Sequence, residues 1–327
     1  MIDLLLTIAG IVLLLAGGTG LVRGASQIAM RFGVSEMVVG LTIVAFGTST
    51  PELVVNVISG LRGASEVAFG NVIGSNITNL GLVLGAAALM MPVQLHGQVV
   101  KRELPFLLLG TTVIAVMALD GTLKGDPPQL DRSDSLILLL LFLIFIYLMA
   151  SDIWRSRRDD PLVLTMEARV HEHQRFGAML PWLLAFGGVG LLFIGGEMTV
   201  RGAIDLSTAV GIPAEIVGLF VVAVGTSLPE LVTSVIAARR GESDLALGNV
   251  VGSNIFNGLF VLPAGGLITD IVVPHGGVAD IAVSWLFAAL LIPIFYLGRS
   301  RFGRGFGVLF LLGYFTYVIV RTSTGGH

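Results

Sequence analysis

Residues 47–52 read GTSTPE and residues 225–230 read GTSLPE. Each hexapeptide lies deep inside a long apolar stretch, where glycine, proline, hydroxyl residues and an acid are poor helix material. The likeness extends outward in both directions. Adding 178 to a residue number carries Gly17-Gly18 onto Gly195-Gly196, Val22-Arg23-Gly24-Ala25 onto Val200-Arg201-Gly202-Ala203, and Gly40 onto Gly218. The same shift carries Thr48, Ser49, Pro51 and Glu52 onto Thr226, Ser227, Pro229 and Glu230. It then takes GNVIGSNITN (70–79) onto GNVVGSNIFN (248–257), with no gap across the whole range. The chain holds two copies of one unit.

Composition says where that unit lives. Of 327 residues, 54% are hydrophobic and 13% charged, against about 25% charged in soluble domains, and the mean hydropathy is +0.91. These values describe a membrane protein. A net charge of −3 offers no basic surface for nucleic acid, and the absence of cysteine excludes disulfides, thiolate metal sites and cysteine nucleophiles. Apolar stretches long enough to span a bilayer fall near 4–22, 37–60, 67–91, 103–119, 135–153, 178–200, 213–238, 244–269, 278–297 and 305–321. The first lacks a basic leader, with Asp3 where Lys or Arg belongs in a signal peptide, so it reads as a retained span.

Between the fifth and sixth spans lies the one long polar loop, SDIWRSRRDDPLVLTMEARVHEHQRFG (151–177). The expected organisation is therefore an N-terminal five-helix repeat over 1–153, a cytoplasmic loop over 154–177 and a C-terminal repeat over 178–327. Fourteen of the nineteen Lys and Arg residues fall on one side if the N-terminus is outside. The positive-inside rule then places both termini outside and the loop in the cytoplasm. Five spans per copy is an odd number, so the second copy enters the membrane inverted. The fold class expected is all-α and polytopic: ten transmembrane helices in two inverted five-helix repeats, an architecture of secondary transporters whose substrate site lies near the midplane between repeats.

The repeated motifs carry the chemistry. An ionised carboxylate at the bilayer centre costs at least about 2.5–3.5 kcal/mol, and such acids usually mark ion or proton pathways. Glu52 and Glu230 sit near the middle of their spans; the alternative is two acids buried neutral for packing. Pro51 and Pro229 have no N–H and clash with the carbonyl one turn earlier, around Gly47 and Gly225, so each helix should kink or open there. Freed carbonyls at that depth suit a cation-binding cavity; a kink for packing is the alternative. In the second motif, Gly70, Gly74, Gly248 and Gly252 form small-xxx-small faces for close helix approach. Asn71, Ser75 and Asn79 share one helical face, as do Asn249, Ser253 and Asn257, while Asn76 and Asn254 fall off it and brace the backbone. Pooled, these groups offer two carboxylates, hydroxyls, amide oxygens and carbonyls, without sulfur or a placed histidine. An all-oxygen set suits Ca²⁺, and Na⁺ by the same logic; Mg²⁺ sheds water too reluctantly.

These paired segments, GLTIVAFGTSTPELVVN with GNVIGSNITNLGLVLG and GLFVVAVGTSLPELVTS with GNVVGSNIFN, resemble the Ca²⁺/cation antiporter superfamily of the sodium/calcium exchangers, with a short loop like that of prokaryotic members. The resemblance implies that Glu52 and Glu230 are shared Ca²⁺ and Na⁺ ligands and that Thr48 and Thr226 add carbonyls for Ca²⁺. It implies flanking Na⁺ sites completed by Ser49, Ser227, Ser75, Ser253 and the carbonyls of Ala45 and Ala223, with Asn79 and Asn257 between them. Some exchangers carry aspartate at one of those two asparagine positions, so the counter-ion stays open.

The expected activity is antiport of Ca²⁺ against Na⁺ at one alternately exposed site, without enzymatic chemistry, cofactor or protein partner, in the plasma (inner) membrane. Two close carboxylates in a poorly solvated place do not both ionise easily. Protons therefore compete, and a Ca²⁺/H⁺ or K⁺-using antiporter is the alternative. A channel or an intramembrane acid–base enzyme is a rival of another class; the inverted repeat speaks against the first and the lack of a nucleophile motif against the second. The glycine-rich first span of each half suits a sliding contact, as the resemblance implies. His171 and His173 read as a solvated loop pair, Asp120, Asp126, Asp131 and Asp134 as solvated acids of an outer loop, Glu197 and Asp205 as interfacial acids, and Trp182 and Tyr314 to Tyr317 as interfacial or lipid-facing aromatics.

Overall fold

The computed structural model describes residues 2–95, 97, 99–119, 125, 128–159, 179–209 and 225–324. Helices make up nearly all of it, as apolar segments with no sheet partner must satisfy their backbone internally. In chain order they are α1 (Ile2–Phe32), α2 (Glu36–Thr48), α3 (Thr50–Leu61), α4 (Ser65–Met90), α5 (Leu104–Ala118), α6 (Arg132–Asp159), α7 (Leu180–Ala209), α8 (Leu228–Arg239), α9 (Ser243–Gly266), α10 (Gly277–Leu297) and α11 (Arg304–Thr324). Seven of these are long and apolar enough to cross a membrane, and α2 with α3 forms an eighth, bent span. Of the ten expected spans, the other two correspond to α5, which continues a π-turn at Val99–Glu103, and to α8. The part of the seventh span before Gly225 lies outside the described residues.

Two boundaries differ from the sequence expectation. The first span of each half runs long, with 31 residues in α1 and 30 in α7, so Arg23 and Arg31 are helical rather than in a loop. Rising 1.5 Å per residue, such a helix measures about 45 Å and overreaches a hydrocarbon core of about 30 Å. Helix α6 likewise continues to Asp159, taking in the first residues assigned to the central loop. The remainder of that loop, with His171 and His173, lies outside the described residues, as do Asp120 and Asp126.

Local chemistry sets the ends. Gly63 and Gly241, equivalent positions of the two repeats, adopt positive φ of 69° and 81° and close α3 and α8. In each case the next residue donates back into the helix, Ala64 to Ser59 O and Glu242 to Ala237 O at 2.9 Å; this is the left-handed helix stop that glycine makes cheaply. Asp131 and Asp134, read as solvated acids, form a reciprocal cap at the start of α6: each backbone N–H donates to the other's carboxylate, at 3.1 and 2.9 Å.

The repeat is visible in the packing. Two short antiparallel ribbons tie the helix ends: β1 (Val93–Gln94) pairs with β4 (Arg301–Phe302), and β2 (Gln129–Leu130) with β3 (Ile271–Val272). Shifting β1 by 178 lands on β3, so exchanging the halves exchanges the ribbons. At the centre α9 is buried on every side from Leu245 to Phe256, and α4 is largely buried with it. The two meet through a reciprocal pair. Asn76 Nδ2 donates to Asn254 O at 3.4 Å and Asn254 Nδ2 to Asn76 O at 3.0 Å, the bracing role expected of these asparagines.

Glycine permits two close approaches. Gly248 and Gly252 let α9 touch α2, since a Cβ on either would lie 2.7 Å from main-chain oxygens of Met37 or Leu41. The expected match at Gly70 and Gly74 differs, with no described atom within 4 Å of a Cβ at either. The long helices α1 and α7 run antiparallel in contact, Gly17 against Gly188 and Gly10 against Gly195, so close that an added Cβ would meet backbone at 2.5–2.8 Å. These glycines weld α1 to α7; among those expected to face the rest of the protein, Gly18 does so, against Val232 and Ile236 of α8. Aromatics follow the same pairing. Trp182 packs edge-on against Phe32 and stacks on Phe186. Tyr314 is buried with its hydroxyl 3.3 Å from Thr78 Oγ1, and Tyr317 donates to Asp280 at 2.9 Å. Trp182, Tyr314 and Tyr317 therefore hold helices together, where the sequence suggested interfacial anchors or lipid-facing bulk.

Candidate functional site

The break predicted from GTSTPE is present. Helix α2 ends at Thr48, Ser49 takes φ −85°, ψ 9°, and α3 departs at 45° with Pro51 in its first turn. In the second copy Ser227 takes φ −88°, ψ 6° and Pro229 opens α8 in the same way. Pro51 supplies no N–H to the Gly47 carbonyl, and Thr50 Oγ1 donates to Phe46 O at 3.0 Å. Each glutamate thus stands in the first turn of a new helix, where unpaired N–H groups and the helix dipole favour negative charge.

Both carboxylates are fully buried. Ser49 Oγ donates across the repeats to Glu230 Oε1 at 3.0 Å, while Glu230 Oε2 has no hydrogen-bond partner. Neither oxygen of Glu52 has one; the hydroxyls of Ser75 and Thr226 face it. Thr48 and Ser253 face Glu230 in the same manner. The hydroxyls of Ser227 and Ser253 are buried and unpartnered, and Ser75 Oγ lies 3.4 Å from Thr226 Oγ1.

Asn79 and Asn257 occupy the first positions of two equivalent π-turns, Asn79–Val83 and Asn257–Val261. Such bulges recur at functional sites. Both side chains are fully buried, and none of their four amide N and O atoms has a partner. The Ala45 carbonyl accepts from Ser49 N at 3.0 Å and lies 3.4 Å from Thr48 Oγ1, so part of its capacity is already used within the helix. Ala223 lies outside the described residues.

Buried polar residues beyond the expected ligands surround these groups. Asn71 and Asn249 tie motif to motif. Asn56, one turn past Glu52, donates to Val261 O and, at 3.5 Å, to Leu262 O, carbonyls at the end of the second π-turn. Thr233 and Ser234, on the equivalent helix α8, are fully buried. The sequence reading passed over Asn56; its signal is a polar residue four after the glutamate in the otherwise apolar PELVVNVIS.

A buried polar atom left unpaired costs about 1–3 kcal/mol, and more if charged. A cluster of such oxygens around two carboxylates suits a desolvated hard cation. Two negative charges balance one Ca²⁺, and the surrounding neutral oxygens supply the remaining coordination that ion takes. Among the described residues, no group of three or more His, Cys, Asp and Glu exists, so charge at this site comes from the glutamate pair. A cavity of about 290 Å³ adjoins the motifs, walled by Thr48 and Pro51 on one side, Val189 and Phe193 of α7 on the other, and Pro229.

The chain resembles known proteins along nearly its whole length. The profile of the family described as sodium/calcium exchanger protein matches residues 2–150 and 180–323. A putative antiporter, CaxA, of Alkalimonas amylolytica is 36% identical, covering 95% of each chain. The sodium/calcium exchanger MaX1 of Methanosarcina acetivorans is 30% identical, covering 98% of each. Among solved structures, the sodium-calcium exchanger NCX_Mj, soaked with Na⁺ and Ca²⁺, superposes with a TM-score of 0.80 at 30% identity, covering 99% of this chain and 98% of that one.

Proposed function

The chain belongs to the sodium/calcium exchanger family, and from that premise we propose that it exchanges Ca²⁺ for Na⁺ at a single site built by both repeats and opened alternately to each side of the membrane. The coarser statement, a multi-pass Ca²⁺/cation antiporter, follows from the family and fold. The finer reading rests on one observation: Glu52 is wholly buried without a donor on either oxygen, and the Asn79 and Asn257 amides are likewise buried and unpartnered. Ca²⁺ and Na⁺ both require the same two carboxylates, so occupancy by one excludes the other, and this exclusion couples the two fluxes.

The division of contacts supports alternating exposure. Helices α1 and α7 are fitted to each other through their glycines, and α7 walls the cavity beside the motifs. Moving that pair as a body over α8 and the bent α2–α3 span would open one end of the site while closing the other. The Lys and Arg asymmetry of the sequence supports an orientation with both termini outside.

The test is Ca²⁺ uptake into proteoliposomes under separately imposed Na⁺, K⁺ and H⁺ gradients. The expected result is uptake driven by outward Na⁺ and by neither of the others. Uptake driven by protons with Na⁺ absent would replace this reading with Ca²⁺/H⁺ exchange.

A further inference from the structure

Two asparagines that open the GNVIGSN and GNVVGSN segments make the same pair of contacts in each repeat. Asn249 accepts from Thr48 Oγ1 at 3.1 Å through Oδ1. Its Nδ2 donates to Ser234 Oγ at 2.9 Å and reaches the Glu230 main-chain oxygen at 3.5 Å. Asn71 accepts from Thr226 Oγ1 at 3.5 Å and donates to the Glu52 main-chain oxygen at 3.3 Å. Each amide therefore grips the glutamate backbone of its own repeat and the threonine of the other. Asn249 is fully buried and Asn71 is 9% exposed.

We propose that Asn71 and Asn249 are positioning residues that set the spacing between the two half-sites, so that one Ca²⁺ can engage Glu52 and Glu230 together. This rests on the exchanger reading of the site. Asparagine alone among short side chains presents an acceptor and two donors in one plane. Aspartate would turn a lone pair toward the glutamate carbonyl, and leucine would leave both partners unpaired. Because the ties are neutral, they hold the halves in register without adding charge that would compete for the cation. Inside a protein such a tie is electrostatically stronger than in water. Its effect on a divalent ion spanning both halves is direct, since either half drifting outward lengthens half of the coordination shell. The Thr–Asn link is also specific in its pairing: Thr48 with Asn249, Thr226 with Asn71, each crossing from one repeat to the other.

That crossing supplies the test. Ca²⁺ affinity of the purified full chain in detergent is measured by calorimetry for Asn249→Ala, Thr48→Val, their double variant, and Asn71→Ala combined with Thr48→Val. Each single substitution should weaken Ca²⁺ binding about fivefold, the factor one net hydrogen bond carries. The Asn249→Ala/Thr48→Val double should be no weaker than Asn249→Ala alone, because losing the amide already removes the Thr48 link. Asn71→Ala with Thr48→Val should multiply to about 25-fold, because two links are lost. Multiplicative loss in the first pair would overturn the proposal, as would unchanged affinity in the singles. If Asn249→Ala does not fold, the same comparison with Asn71→Ala and Thr226→Val decides it. Ca²⁺ binding by the unsubstituted protein is the separate control: its absence would refute the exchanger reading itself, whereas its presence with multiplicative loss would refute the brace alone.

Discussion

Glu52→Gln, and separately Glu230→Gln, will abolish Na⁺-driven Ca²⁺ flux in proteoliposomes while leaving the protein folded. Glutamine keeps the shape and one oxygen of the side chain but removes the charge. With one carboxylate left, a bound Ca²⁺ retains an uncompensated positive charge in a site closed to water. A charge at bilayer depth costs at least about 2.5–3.5 kcal/mol, a factor of about 60 to 300 or more in affinity. Na⁺ binding loses the same ligand, so neither direction of exchange survives. Folding runs the other way, because both oxygens of Glu52 are buried without a donor. Glutamine relieves that cost, and the melting temperature in ion-free buffer should hold or rise. Flux resembling the unsubstituted protein from either variant would remove Glu52 or Glu230 from the site.

A disulfide between α1 and α8 will stop transport reversibly. The chain has no cysteine, so an introduced pair can react only with itself. A Cβ at Gly18 would lie 2.9 Å from Val232 Cγ1, which places the two positions within reach of a disulfide's geometry. In the Gly18→Cys/Val232→Cys variant, oxidation ties the α1–α7 pair to the helix that carries Glu230. If access alternates by moving that pair, exchange falls to background on oxidation and returns on reduction. Ca²⁺ binding from the side already open should persist throughout. Full exchange with the disulfide formed, verified by mass, would show that access changes without motion of α1 over α8.

Much of this was legible in the sequence because the same constraints were written twice. Two prolines equally placed before two glutamates predicted helix breaks, and breaks occur at Ser49 and Ser227 with nearly identical dihedrals. Asn76 and Asn254, off the polar stripe, brace the backbone as expected. The π-turns at Asn79 and Asn257 were not legible, since a π-turn needs one added residue per turn and depends on surroundings such as the Asn56 amide that meets the end of the second turn. Nor was the fate of the aromatics: a tyrosine facing lipid and one reaching Thr78 across helices look alike in a hydropathy profile. The long overhang of α1 was hidden because Arg23 and Arg31 read as a loop, although both residues are good helix formers. The glycines of the first spans were legible as a close contact but not as to which neighbour they meet.

The central claim is that neither motif copy is a site, and that the two make one. Equilibrium binding of radioactive Ca²⁺ to the purified protein tests it most directly. The account predicts one Ca²⁺ per chain, displaced by Na⁺, and complete loss of that binding in Glu52→Gln alone. Two Ca²⁺ per chain, with half of the binding surviving the single substitution, would contradict it.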